Sequence, residues 1–129
     1  MTIEVLDGDL SVCQVRDLSA VDWGQPLCFA EKTDEECSLV CPTGCAPKDA
    51  LAREDGWRAF RIAGELDFSL VGILAQISSL LAGAGIALFA LSTYRTDYIL
   101  VKGERLRDAL AVLAGAGWEV SGKKLPAGD

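Results

Sequence analysis

The sequence predicts an α+β protein built from two related units, each with the strand and helix order βαββαβ or a reduced form of it. Three observations support this prediction. Apolar residues recur at helical spacing in two stretches of the second half, short apolar runs flank these stretches, and a hairpin pattern from the first half returns in the second half. A ferredoxin-like arrangement, with two helices on one face of an antiparallel sheet, satisfies this order.

The first strand and helix of the second unit follow from the pattern after Trp57. Residues 57–63 have the composition of a strand, and a helix is predicted over Leu70–Gly83, with Ser69 as its N-cap and Gly85 just beyond its end. One face of this helix is wholly apolar and comprises Leu70, Ile73, Leu74, Ile77, Leu80, Leu81 and Ala84. The helix is therefore expected to pack against the sheet.

The apolar pattern in the rest of the second unit predicts a hairpin, a second helix and a last strand. These elements are strands over 86–92 and 98–102, a helix that begins at Leu106 and ends near Gly115 or Gly117, and a strand over 118–121. The order βαββαβ is then complete.

The first half carries a weaker copy of this pattern. Residues 26–33 and 37–41 align with the hairpin of the second half at a constant offset, with Phe29 on Phe89, Ala30 on Ala90 and Thr33 on Thr93. A strand is predicted over 11–16, but the interval that follows is too short for a full helix. The first unit is therefore degenerate.

The predicted domain ranges follow from this comparison. A short helix is expected over 47–54, and Asp55-Gly56 is the expected boundary because this dipeptide favours a turn. The ranges are a degenerate unit at 1–56, a complete unit at 57–122 and a flexible tail at 123–129. Units of this size are marginally stable alone, so we expect them to pack together.

Composition excludes several classes of function. The net charge is −7 and the 12 Lys and Arg residues form no basic block, which argues against nucleic acid as a partner. The N-terminus lacks a signal-peptide pattern and the run Ile86–Leu91 is too short to span a bilayer, so we expect a cytoplasmic protein without membrane contact. The chain has no histidine, so no nucleophile–base pair can be named and we do not expect an enzyme.

The five cysteines all lie in the first half, and Cys37, Cys41 and Cys45 form a C-x3-C-x3-C run. On one strand, Cys37 and Cys41 would share a face but lie about 13 Å apart, at roughly 3.3 Å per residue. One metal ion cannot bind both. The cysteines are therefore predicted to be small buried hydrophobic residues, without a metal or other cofactor.

Two segments of the second half resemble the ACT domain family. They are Gly64-Glu65-Leu66-Asp67-Phe68-Ser69-Leu70-Val71-Gly72-Ile73-Leu74 and Ser92-Thr93-Tyr94-Arg95-Thr96-Asp97-Tyr98, separated by Ala84-Gly85-Ile86. The resemblance covers residues 57–119. More narrowly, the sequence is similar to small bacterial tandem-ACT proteins and to the ACT units of cytosolic arginine sensors and aspartate kinases.

The resemblance implies a binding edge for an amino acid. In ACT domains, the turn between the first strand and helix and the adjoining end of the second strand bind amino acids, commonly where two units meet. The matching positions are Asp67, Leu70, Gly72 and Ile73 on the turn and Thr93, Tyr94 and Asp97 on the hairpin. A non-catalytic regulatory or sensor module is implied, with a homo-oligomer as one arrangement; the alternative is a structural or protein-interaction domain without a small ligand.

The chemistry of these residues suits a zwitterion. A helix N-terminus offers N–H groups to a carboxylate, and Gly72 would allow close approach of a ligand. Asp97, together with Asp67 or Glu65, could meet an ammonium or guanidinium group. Structural roles explain the same residues: Asp67 can cap the helix, Gly72 can allow close packing on the sheet, and Asp97 can fix the hairpin turn.

Overall fold

The structure is a computed structural model that describes residues 1–64, 72–123 and 125. Its strands and helices confirm the α+β class. In chain order they are β1 (Thr2–Leu6), β2 (Leu10–Val15), β3 (Phe29–Lys32), β4 (Cys37–Pro42), β5 (Ala52–Ile62), α1 (Ile73–Gly83), β6 (Phe89–Ser92), β7 (Asp97–Lys102), α2 (Leu106–Gly115) and β8 (Glu119–Lys123).

The chain divides into two compact units. The larger unit contains Met1–Asp7 and the described residues from Arg58 onward to the end of β8, and the smaller unit contains Gly8–Trp57. This division differs from the predicted ranges in placing Met1–Asp7 with the larger unit. Of the predicted tail at 123–129, Lys123 ends β8, and residues 124 and 126–129 lie outside the described residues.

Asp55-Gly56, where a turn between the units was predicted, lies inside β5, and the division between the two compact units falls one residue further on, between Trp57 and Arg58. The pairing of β2 with β5 shifts register between Leu10 and Val12, opposite this dipeptide, and Gly56 has a φ of 85°. These two features are typical of a β-bulge, in which one strand carries an extra residue and glycine accepts the positive φ. The Asp-Gly pair therefore signals a bulge in a strand instead of a loop between domains.

The sheet of the larger unit has the order β6-β7-β5-β1-β8, with β5 represented by its C-terminal part. Strand β1 pairs antiparallel with β5, with Ile3 opposite Ile62, and parallel with β8, with Ile3 opposite Val120. The sheet is therefore mixed, and the expectation of a purely antiparallel sheet is wrong. Strand β1 was not predicted, although the alternation of Ile3 and Val5 with polar residues is the usual signal of a half-buried strand.

The core of the larger unit lies between the sheet and its two helices. Ile77 and Leu81 of α1 and Ala109 and Leu113 of α2 are buried, as the helical spacing predicts. They belong to a cluster that also contains Ile3, Phe60, Ile62, Ile86, Ile99, Val101 and Trp118. Burying a side chain as large as Leu or Ile contributes roughly 1.5–3 kcal/mol, so this cluster dominates the stability of the unit.

The smaller unit is formed by antiparallel strands, in the order β3-β4-β2 followed by the N-terminal part of β5. Its described residues contain no α-helix. The short helix predicted over 47–54 is wrong: a 3-10 turn occupies Thr43–Cys45, and β5 already begins at Ala52. Leu51 N donates to Gln14 O at 2.8 Å, so pairing with β2 overrides the local helical preference.

The predicted repeat is present in the two hairpins. Strands β3 and β6, strands β4 and β7, and the 3-10 turns at Thr43–Cys45 and Gly103–Arg105 match pairwise in length, and the same offset in the sequence separates the members of each pair. Both hairpins also have the same register, since Phe29 lies opposite Val40 and Phe89 opposite Leu100. No helix of the described residues is long and apolar enough to cross a membrane.

Candidate functional site

The start of α1 is one side of the candidate site. Gly72 is the N-cap residue, with a φ of 83°, and Gln76 N donates to Gly72 O at 2.8 Å to begin the helix at Ile73. The predicted start at Leu70 is therefore corrected to Ile73 within the described residues. Among the residues that the structure describes, no side chain caps this end of the helix, and Gly72 itself has no side chain that could accept from the first N–H groups.

The conformation of Gly72 also decides between two explanations for the glycine. A Cβ atom added there would have no heavy atom of the described residues within 4 Å, so close packing of the helix on the described strands does not require glycine at this position. The positive φ does require it, because side chains other than those of glycine and asparagine are strained there. Open space beside backbone N–H groups is compatible with the approach of a ligand.

The turn of the β6–β7 hairpin is the other side of the candidate site. Thr93 N donates to Thr96 O at 2.9 Å, and the Thr93 hydroxyl accepts a hydrogen bond from Thr96 N at 3.3 Å. The same hydroxyl donates to Thr96 O at 3.0 Å. Thr93 therefore closes the turn, and the exposed Tyr94 stands at its tip with 77% of its surface accessible.

A buried hydrogen bond ties this turn to the strand that leads toward α1. The Thr96 hydroxyl donates to the carbonyl oxygen of Ile62, the last residue of β5, at 2.8 Å, and Thr96 is only 4% exposed. The chain then continues from Ile62 through Gly64 to α1. The hairpin turn thus lies beside the origin of the strand-to-helix connection, which is the adjacency that the resemblance implies.

A second contact holds the same two strands together one residue away. The Arg61 guanidinium donates to Tyr98 Oη at 3.1 Å and lies 5.7 Å from the centre of the Tyr98 ring, in cation–π geometry. It also forms an ion pair with Glu4 at 3.3 Å. Burial alone would lower the pKa of Arg61, and the hydrogen bonds to Tyr98 and Glu4 more than offset it, so the pKa is raised. The end of β5 and the start of β7 are fixed relative to each other.

Asp97 is the only carboxylate among the predicted site residues that the structure describes. Its Oδ1 accepts a hydrogen bond from Ser92 Oγ at 2.6 Å, across the pair Ser92–Asp97 that closes the strands of the hairpin. Within the described residues Asp97 forms no ion pair. An ionised carboxylate has about four acceptor positions, so the bond to Ser92 leaves acceptor capacity for a ligand.

The remaining predicted residues divide into two groups. Ile73 begins α1 and packs, half-buried, against the core of the larger unit, so its side chain supports the helix end. Asp67 and Leu70 lie outside the described residues, as do Glu65 and Ser69. Of the proposed ligand-binding residues, the structure therefore places Gly72, Ile73, Thr93, Tyr94 and Asp97.

Two contributors to the site were not among the residues selected from the sequence. Thr96 anchors the hairpin turn on Ile62, and Ser92 orients the Asp97 carboxylate. Both belong to the quoted segment from Ser92 to Tyr98, but only the register of the hairpin reveals their partners. A threonine next to a turn has many structural explanations, so the sequence offers no specific signal for this role.

The cysteines lie in the smaller unit, away from these residues in the chain. Cys37 and Cys41 both lie on β4, as predicted, and Cys41 is buried. Among the described residues, no group of three or more His, Cys, Asp or Glu side chains has the geometry to hold a metal ion. The expectation that the cysteines bind no metal stays a prediction.

Comparison with known proteins supports the resemblance predicted from the sequence. The family model of the ACT domain matches residues 52–115. The human protein named cytosolic arginine sensor for mTORC1 subunit 1 aligns over 71 residues with 40% identity, and the bovine sensor aligns with the same values. This alignment covers 52% of the chain but only 22% of the length of the sensor.

Solved structures extend the similarity to the whole chain. Protein Atu0741 from Agobacterium tumefaciens is 25% identical, with a TM-score of 0.83 over 99% of this chain and 97% of that protein. The regulatory subunit of aspartate kinase from Thermus thermophilus is 10% identical, with a TM-score of 0.64 over 91% of this chain and 97% of the subunit. At 10% identity the second likeness concerns the fold alone.

Proposed function

Residues 52–115 are recognised as an ACT domain, and from this premise we propose that the chain is a non-catalytic regulatory or sensor module that binds a small ligand, an amino acid. The proposed site lies between the connection that leads to α1 and the turn of the β6–β7 hairpin. Its proposed ligand-binding residues are Asp67, Leu70, Gly72, Ile73, Thr93, Tyr94 and Asp97.

The observation that carries the proposal is the hydrogen bond from the Thr96 hydroxyl to Ile62 O. A buried hydroxyl that donates to a strand-end carbonyl fixes the position of the turn, since breaking the bond would leave polar atoms buried without a partner. The hairpin turn is thereby held next to the point where the chain leaves β5 for α1. Two segments that are distant in the sequence can then contact one small ligand.

Each end of a zwitterionic ligand has a candidate partner. The N-terminus of α1, which no side chain of the described residues caps, presents backbone N–H groups and the positive end of the helix dipole, which favour a carboxylate. The Asp97 carboxylate, oriented by Ser92, offers a counter-charge to an ammonium group. Both groups are common to all free amino acids, so this assignment defines the class of ligand and leaves its side chain open.

A structural or protein-interaction role is the second candidate function, and one observation favours it. The bond between Ser92 and Asp97 joins the first cross-strand pair of the hairpin, so Asp97 has a role in the fold even without a ligand. A domain that uses this edge only to close its sheet would show the same bond. Ligand-binding measurements therefore decide between the two functions.

A thermal-shift screen with the free amino acids tests the proposal. A ligand that binds only the native state stabilises it by RT ln(1 + [L]/Kd), about 2.7 kcal/mol when the ligand concentration is 100 times Kd. We expect at least one amino acid to raise the thermal midpoint, with a dependence on concentration that follows this relation. If none of them shifts the midpoint at millimolar concentration, the structural role takes precedence.

The screen gains a second readout from the oligomeric state. In ACT domains, which this chain resembles, amino acids commonly bind where two units meet. Light scattering with and without the best ligand should therefore accompany the screen, to measure the oligomeric state. Gly72→Ala supplies a variant whose helix end is disturbed, because alanine is strained at a φ of 83°. It should weaken binding more than Ala75→Gly, a change at an exposed position in the first turn of the same helix.

A further inference from the structure

The thiols of the smaller unit are concentrated on one face of its sheet. Cys13 and Cys41 are buried in its core, and Cys28 and Cys37 pack against them. All are reduced in the structure. The register of the strands decides which of these thiols can approach each other closely enough to react.

Extending the β3–β4 register by one residue places Cys28 opposite Cys41. Phe29 pairs with Val40 and Ala30 with Leu39, and Cys28 directly precedes Phe29. Residues directly opposite each other in an antiparallel pair project from the same face of the sheet. The packing of Cys28 against the cluster that contains Cys41 agrees with this position.

The type of cross-strand pair also favours a bond between them. Thr33 N donates to Glu36 O, so these residues form a hydrogen-bonded pair, and the two types of pair alternate along an antiparallel ladder. Counting from this pair, Cys28 and Cys41 occupy a non-hydrogen-bonded position, where Cα atoms lie about 4.5 Å apart. Disulfides need a Cα separation of roughly 4.4–6.8 Å, which this position meets.

The other cysteines fit less well. Cys13 lies opposite Leu39, so it is a diagonal neighbour of Cys41 at a Cα separation of about 7–8 Å, outside the range for a disulfide. Cys37 lies opposite Lys32 and has no thiol across the hairpin. Cys45 lies in the 3-10 turn after β4, outside the β3–β4 ladder, so the register places it opposite no residue, although it is near enough to Cys28 and Cys41 to interact electrostatically with both.

We propose that Cys28 and Cys41 are an oxidant-sensitive pair that forms a disulfide across the start of the β3–β4 hairpin. Cys28 is the half-buried member, so peroxide reaches it first and oxidises its thiol to a sulfenic acid, with release of one water. The Cys41 thiol then attacks this sulfur, the S–S bond forms, and a second water leaves. Overall, two thiols lose two hydrogen atoms and one hydrogen peroxide becomes two waters.

Burial of both thiols makes their oxidation slow at neutral pH. Burial raises the pKa of Cys28, and burial raises the pKa of Cys41 to about 12, so little thiolate is present at neutral pH. Buried thiols of this kind resist oxidation by air because the thiolate is the reactive form. Once the first sulfur is oxidised, the neighbouring thiol is already in place and no chain movement is needed.

Peptide mapping after treatment with hydrogen peroxide tests the pairing. Cleavage after Arg16, Lys32 and Lys48 places Cys28 alone in residues 17–32, and Cys37, Cys41 and Cys45 together in residues 33–48. The native protein is treated at pH 8, blocked with an alkylating reagent and digested without reductant. We expect the two peptides to be linked, with a mass lower by two hydrogen atoms than their sum, and the link to disappear with reductant.

Single variants assign the bond within residues 33–48. Cys37→Ser and Cys45→Ser should keep the link, and Cys41→Ser should remove it. A link that survives Cys41→Ser would assign the chemistry to Cys37 or Cys45, one that is lost in Cys45→Ser would assign it to Cys45, and either result would overturn the proposal. A dominant link from residues 1–16, which contain Cys13, would overturn it as well.

A double variant tests the pairing even if Cys41→Ser does not fold. Cys37→Ser combined with Cys45→Ser leaves Cys41 as the only thiol in residues 33–48, so a link to residues 17–32 can involve no other pair. In the native double variant the link from residues 33–48 should lead mainly to residues 17–32, whereas in the same protein unfolded in urea, where the thiols are not held together, links to residues 1–16 and to residues 17–32 should be similarly abundant. The same mixture of links in the native state would show that the fold does not bring the pair together.

Discussion

The two hairpins of this chain have the same backbone but different chemistry. Each consists of a short strand, a tight turn and a longer strand, and the bounds of β6 and β7 repeat those of β3 and β4 at one constant offset. In both, a threonine closes the turn: Thr33 Oγ1 accepts from Glu35 N and Glu36 N, and Thr93 Oγ1 accepts from Thr96 N. The backbone of the hairpin thus depends on this threonine and on the alternation of the strands.

The differences lie at the positions around the turn. Where the β6–β7 hairpin has Ser92, Thr96 and Asp97, the β3–β4 hairpin has Lys32, Glu36 and Cys37. Thr96 is buried and anchored on Ile62, whereas Glu36 is exposed. The comparison teaches that a hairpin can be repeated with its geometry intact while only one copy carries the hydroxyl and carboxylate groups of a candidate binding edge.

The largest expected effect concerns the cores beneath the two hairpins. Counted over the described residues, Ile99 lies in a cluster of eleven buried residues, and its counterpart Leu39 lies in a cluster of four. Replacing either by alanine removes buried methyl groups and leaves a cavity, at a cost of about 2–5 kcal/mol in the free energy of unfolding. We expect Ile99→Ala to lie at the upper end and Leu39→Ala at the lower end, because a small cluster can relax around a cavity.

Urea denaturation, monitored by fluorescence, gives the free energy of unfolding of both variants. Glu35→Ala at the exposed hairpin tip is a suitable control. A surface substitution of this kind should change stability by less than about 0.5 kcal/mol. If Leu39→Ala costs more than Ile99→Ala, the smaller cluster is the more rigid of the two, and the size of the cluster does not set the cost of the cavity.

The same contrast explains how far sequence reasoning reached. The apolar stripe of α1 and the helical spacing of α2 depend on local periodicity, so the positions of Ile77, Leu81 and Leu113 in the core could be predicted. The hairpin repeat could be predicted because its strands are short and alternate. By contrast, β1 and the length of β5 depend on pairing between distant segments, which single-sequence patterns do not encode.

The candidate site could be predicted only in part, because some of its contacts also depend on pairing between distant segments. The resemblance identified the segments, and the structure shows that Thr96 joins one of them to the strand that precedes the other. The resemblance could not show that Ser92 would orient Asp97, since the hydrogen bond between them depends on the register of the hairpin. Nor could the sequence give the left-handed conformation of Gly72, which moves the start of α1 to Ile73.

The second largest expected effect is a loss of ligand affinity, which we expect on replacing Asp97 but not on replacing its counterpart Cys37. A hydrogen bond to a charged group is worth roughly 1.5–3 kcal/mol, so Asp97→Ala should weaken the best amino acid from the screen by about tenfold to a hundredfold. Isothermal titration calorimetry gives Kd for the wild-type protein and the variant. The far-ultraviolet circular dichroism of both should be the same, because Asp97 is only half-buried.

Cys37→Ala is the matched control for this measurement, since it changes the same position of the other hairpin. It should leave Kd unchanged. Ser92→Ala keeps the carboxylate but removes the hydroxyl that orients it, so its loss of affinity should be smaller than that of Asp97→Ala. Equal affinity for the wild-type protein and Asp97→Ala, with both folded, would place the ligand elsewhere.

The smallest effect concerns the anchor that only one hairpin has. Thr96→Val keeps the shape of the side chain but removes the hydroxyl that donates to Ile62 O, and one hydrogen bond contributes about 0.5–1.5 kcal/mol to the free energy of unfolding. Thr96→Ser, which retains the hydroxyl, should recover most of this loss. Glu36→Ala, at the equivalent exposed position of the other hairpin, should have no measurable effect on stability.

Hydrogen exchange adds a local readout, because loss of the anchor should lower the protection of amides in the β6–β7 turn and leave the β3–β4 turn unchanged. If Thr96→Val and Glu36→Ala prove equivalent in both measurements, the hydroxyl does not hold the hairpin against β5, and the adjacency on which the proposed ligand site depends loses its support.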